Sequence, residues 1–95
     1  MSILCINGVV AEFDRKSYDL KILEAIVSAL VEGEKFVEKK EMDRLDILDL
    51  AISKADKIYN SALWSRVRQI FAPDQIKGKT LSSLATEVKA LFLNV

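Results

Sequence analysis

The chain has 95 residues, of which 51% are hydrophobic, with 14 basic and 14 acidic side chains and no His. That length fits one domain, and the apolar share excludes a disordered chain. Zero net charge argues against a surface built wholly for nucleic acid, and the missing His removes the commonest general base and metal ligand.

Residues 3–13 read as a β-hairpin. Asn7-Gly8 supplies the two positive-φ positions of a type I′ turn, and β-branched residues flank it. Period-two alternation puts Leu4, Ile6, Val9, Ala11 and Phe13 on one face and Ile3, Cys5, Val10 and Glu12 on the other. Both faces are apolar, and two strands alone are marginal, so the hairpin is expected to pack on helices or to pair with another chain.

Four helices are expected after it. The first covers 18–32, with Ser17 as N-cap, apolar rows 22-26-30 and 23-27-31, and Gly33 as its stop. The stretch 34–59 holds no Gly or Pro and reads as one long helix over 38–59. Its apolar face carries Leu45, Ile47, Leu48, Ala51, Ile52, Ala55, Ile58 and Tyr59, while Met42 and Leu50 fall on the polar side. Asn60-Ser61 caps a third helix over 62–71, with Leu63, Trp64, Val67, Ile70 and Phe71 as its apolar set. Pro73 ends that helix, and 73–79 reads as a loop, either throughout or with one helical turn after the proline. Thr80 caps a final helix over 81–92. The expected fold is mainly α: an N-terminal β-hairpin followed by a compact bundle of about four helices, in one domain spanning 1–95.

Few constellations carry chemistry. Lys77-Gly78-Lys79-Thr80 ends like a phosphate-binding loop, but Pro73 stands where that pattern needs Gly. Asp43, Asp46 and Asp49 form an acidic helix face with too few ligands for calcium. The lone Cys5 forms no internal disulfide or thiolate zinc site and reads as a small buried hydrophobe. No catalytic residue, cofactor site or metal site is expected. No signal peptide or membrane span is read either, and the lone thiol fits the cytoplasm.

The expected function is therefore non-enzymatic protein–protein interaction, as a small regulator, adaptor, inhibitor or chaperone that self-associates as a homodimer. Ile3, Cys5 and Val10 on the second hairpin face, with Met42 and Leu50, are the candidate contact residues. The alternative is nucleic-acid binding. Residues 1–53 hold 7 basic and 11 acidic side chains, while 54–95 hold 7 and 3. On that reading the basic second half would bind through Trp64, Arg66, Arg68, Lys77 and Lys79. A chain so polarised can also pair with an oppositely charged protein surface.

Overall fold

A computed structural model describes residues 14–95 and, before them, the backbone of Leu4–Ile6 and Val9–Ala11. Five α-helices follow one another: α1 (Arg15–Glu38), α2 (Arg44–Ala55), α3 (Ser61–Ile70), α4 (Pro73–Ile76) and α5 (Leu81–Lys89), closed by a 3-10 turn, Ala90–Asn94.

α1 organises the bundle and packs most extensively against α5 and α2. Its buried line is Asp19, Leu23, Ile26, Leu30 and Gly33, at alternating spacings of four and three, which keeps one stripe on one side of a helix. Ile47, Leu48, Ala51 and Ala55 of α2 and Leu81, Leu84, Ala85 and Val88 of α5 close on it. Leu63 and Val67 of α3 and Phe71 after it complete the core. Fully burying a leucine here contributes about 1.5–3 kcal/mol.

The expected fold class is corrected in two respects. From Asp14 onward the chain is 78% helical with no strand, and the described core is built from the helices and the turns after α2 and α3. A β-hairpin packed on a four-helix bundle is therefore not seen: the domain is a helical globule of five helices. Leu4–Ile6 and Val9–Ala11 are two three-residue segments in antiparallel register, with Leu4 opposite Ala11 and Ile6 opposite Val9. The physical reason is that α1 finds its apolar partners in α2 and α5, so the described core closes without a sheet. The extra helix is α4, which Pro73 starts from N1, where its missing N–H costs nothing.

Helix ends differ from expectation for local reasons. Asp14, not Ser17, caps α1: its carboxylate accepts from the N–H groups of Lys16 at 3.0 Å and Ser17 at 3.4 Å and from the Ser17 hydroxyl at 2.8 Å. The Ser17 hydroxyl, and then its N–H, hold the Asp14 carboxyl below its ordinary range.

Gly33 lies inside α1 rather than ending it, and a Cβ there would stand 2.5 Å from Ile47 Cγ2. The Ile47 side chain of α2 packs directly against it.

The expected long helix over 38–59 is broken by a chain reversal that uses neither Gly nor Pro. Lys40 takes φ 59°. Its N–H donates to Val37 C=O at 3.0 Å, and the Glu41 N–H donates to Phe36 C=O at 2.9 Å. This is the Schellman motif with a lysine in the left-handed position that glycine normally fills. Lys40→Gly is expected to stabilise the fold by about 0.5–1 kcal/mol by removing the Cβ clash at that position. Chemical denaturation reads the shift, and a loss of stability would contradict the motif.

Polar ties hold the remaining loops. Asn60 caps α3, accepting from Ala62 N–H at 3.0 Å and Leu63 N–H at 3.1 Å. Thr80 caps α5 through Ser83 N–H at 3.0 Å. Two carboxylates of α1 reach across the bundle. Asp19 accepts from Tyr59 N–H at 2.8 Å and Asn60 N–H at 3.0 Å, and Glu34 accepts from Leu81 N–H at 2.8 Å and Ser82 N–H at 3.3 Å. The Arg44 guanidinium, at the start of α2, donates to the carbonyls of Ile76 and Lys79 and so fixes the α4–α5 loop.

Candidate functional site

Three surfaces stand out. The first is the corner where α1 turns into α2. Phe36, Met42 and Leu45 are all exposed there, Leu45 by 66%. Sequence periodicity puts Leu45 on the buried face of a helix beginning at 38. Because α2 begins at Arg44, Leu45 sits in its first turn, ahead of the Gly33–Ile47 crossing, and stays outside.

The second surface is an open groove of about 740 Å³ between α3, α4 and the end of α5. Ile70, Ala72 and Leu91 line it, and Arg66, Gln69, Asp74 and Gln75 bring charged and amide groups to it. The lining can hydrogen-bond a ligand, and it holds no His, Cys, Ser or Lys.

The third surface lies at the far end of α1, against the α2–α3 turn. The Arg15 guanidinium stands 5.3 Å from the centre of the Tyr59 ring. Tyr18 meets Tyr59 edge to face at 5.2 Å. The Arg68 guanidinium stands 5.6 Å from the Trp64 ring centre and 3.6 Å from Asp56, to which the Trp64 indole N–H donates at 3.3 Å. A hollow of about 280 Å³ opens beside Arg15, lined also by Lys16, Asp19, Tyr59, Asn60 and Val95.

The sequence candidates are dispersed over these places. Ile3 lies outside the described residues, and only the backbone of Cys5 and Val10 is described. Met42 is in the α1–α2 turn instead of on a helix, because Lys40 ends α1. Leu50 is exposed on α2. It stands about 140° around the helix from Leu45, apart from the corner.

The five residues of the nucleic-acid alternative stand in different settings. Trp64 and Arg68, four apart, share a face with Asp56. Arg66 turns to the groove. Lys79 pairs with Glu87 at 3.1 Å, and Lys77 is exposed in the α4–α5 loop. The backbone amides that follow the phosphate-loop-like Lys77-Gly78-Lys79-Thr80 are already engaged by Glu34 and Thr80.

Sequence reasoning missed Phe36 and Tyr59 as surface residues, because hydropathy assigns aromatic side chains to the core, and it missed Arg15, because only the tertiary fold sets it over Tyr59. Among the described residues no group of His, Cys, Asp or Glu is placed to hold a metal ion, and no helix is long and apolar enough to cross a membrane. No protein-family model, curated protein or solved structure matches the chain.

Proposed function

We propose that the protein is a non-enzymatic interaction module that pairs with a second copy of itself through the α1–α2 corner. The observation that carries this reading is the exposure of Phe36, Met42 and Leu45 within a span of ten residues, on both sides of one tight turn. A corner presenting three large apolar side chains gains by covering them, and a two-fold axis sets each copy of the corner against the other. Zero net charge supports the same reading, since like molecules then carry little mutual repulsion.

Light scattering over a concentration series tests it. The expected result is a dimer that persists in high salt, as an apolar interface does. Leu45→Lys places a desolvated charge in that interface and is expected to raise the dimer Kd by about tenfold or more. Leu50→Lys, on another face of α2, leaves the dimer unchanged. A strictly monomeric mass at high micromolar concentration overturns the reading.

A further inference from the structure

We infer that the two copies of the proposed dimer exchange α1: the α1–α2 reversal opens into a continuous helix, and each copy's α1 packs into the α2–α5 bundle of the other. The inference rests on the pairing of two copies at the α1–α2 corner and names the form that pairing takes.

The reversal is a weak break. Residues 39–43 hold no Gly or Pro, and the Lys, Glu and Met among them are good helix formers. Lys40 is held at φ 59°, a costly conformation for a residue that carries a Cβ. α1, α3 and α5 start on side-chain caps from Asp14, Asn60 and Thr80, whereas the Asp43 side chain makes no cap bond at the start of α2. In a continuous helix over 15–55, Lys40 returns to the right-handed region, and the first amides of α2 find intrahelical carbonyls. A short hinge under strain favours exchange of this kind.

The fold supplies the other half of the argument. In the continuous helix α1 and α2 point away from each other, so α1 keeps its partners only by taking them from a second copy. Every tie of the closed form is available there. Leu23, Ile26 and Leu30 find the same core, Asp19 the same amides of Tyr59 and Asn60, and Glu34 those of Leu81 and Ser82. The register is two-fold. Gly33 packs on Ile47, and the two lie seven residues on either side of Lys40. Two straight helices crossing antiparallel at Lys40 set Gly33 of each copy level with Ile47 of the other, about an axis through the hinge. Phe36, Met42 and Leu45 all fall within about 8 Å of that axis along the helix, at 1.5 Å per residue. Exchange thus brings the exposed apolar side chains of both corners to one place.

Gly33→Ala and Ile47→Ala give the direct test. Each variant refolded alone carries its defect in every lobe, a clash in one case and a void in the other. The two are refolded together at high micromolar concentration and weighed by native mass spectrometry. An exchanged mixed dimer sets the altered α1 against the altered α2 in one lobe and leaves the other lobe wild type. It is therefore expected to outnumber the two homodimers together by about tenfold. Two intact folds paired face to face keep each defect inside its own chain, and mixing then gives statistical shares.

Lys40→Gly is the second test and does not depend on those variants folding. It eases the turn and weakens the continuous helix at both hinges, so the dimer Kd is expected to rise about hundredfold, tenfold for each hinge. Lys40→Ala keeps a Cβ and a good helix former, and is expected to stay within about threefold of wild type. A strictly monomeric mass overturns this inference together with the pairing it rests on. Statistical mixing, a Kd unmoved by Lys40→Gly, or an equal rise in Lys40→Ala overturns the exchange alone and leaves the face-to-face pairing standing.

Discussion

Asp19→Ala is expected to cost about 2–4 kcal/mol. Asp19 is 1% exposed, and its two oxygens accept from Tyr59 N–H at 2.8 Å and Asn60 N–H at 3.0 Å. Those amides lead directly into α3, whose N-terminus carries partial positive charge that the carboxylate also faces. Alanine removes the acceptor, strands two donors and leaves a void at the top of the α1 stripe. For a domain of this size the melting temperature falls by roughly 12–24 °C, taking about 4–8 °C per kcal/mol at a loss near 3 kcal/mol. Asp19→Asn retains one acceptor oxygen but turns an amide toward the second N–H, so it falls between wild type and alanine. Thermal and urea denaturation followed by circular dichroism check both variants. A loss below about 1 kcal/mol for alanine would mean that water satisfies the two amides as well as the carboxylate does.

The second large effect is a sign reversal at Gly33. In an open helix Gly→Ala stabilises by about 0.8–1 kcal/mol, because alanine restricts the unfolded chain. Here the new Cβ would meet Ile47 Cγ2 at 2.5 Å and Cγ1 at 2.9 Å, and Ile47 is itself buried. A β-branched side chain in a closed core has no rotamer to retreat into. Gly33→Ala is therefore expected to destabilise by about 1–3 kcal/mol as α1 and α2 are forced apart. The paired test uses Ile47→Ala, which is costly alone but removes both clashing carbons. In that background Gly33→Ala is expected to become neutral or stabilising. Equal effects of Gly33→Ala in the two backgrounds would show that Ile47 does not set the helix spacing.

These two residues mark where sequence reading fails. The buried line of α1 is Asp19-Leu23-Ile26-Leu30-Gly33, and only its middle three members register as hydrophobic. One end is polar because it serves the backbone of another segment; the other is small because a second helix touches there. Neither role has a hydropathy signal. α5 is legible, since Leu81, Leu84, Ala85 and Val88 repeat at helical spacing behind a threonine cap. The α1–α2 reversal is not, because Lys40 adopts a conformation that composition assigns to glycine. On the surface, Trp64 and Arg68 are four residues apart and so share a helix face, whereas Arg66 is about 200° from Trp64 and could not have joined them. Arg15 and Tyr59 meet only through the tertiary fold, which no local pattern encodes.

The two carboxylates of α1 have a consequence for how the domain opens. Helix ends ordinarily fray first, and exchange at their amides is fast. Here the amides of Tyr59 and Asn60 bond to a residue 40 and 41 positions earlier in the chain, and those of Leu81 and Ser82 to one 47 and 48 positions earlier. Releasing the start of α3 or of α5 therefore means releasing α1, and with it the packing that α2 and α5 share. The parts of the molecule most prone to local opening are bound into its most global contacts, which favours a single cooperative transition over piecemeal unfolding from the ends.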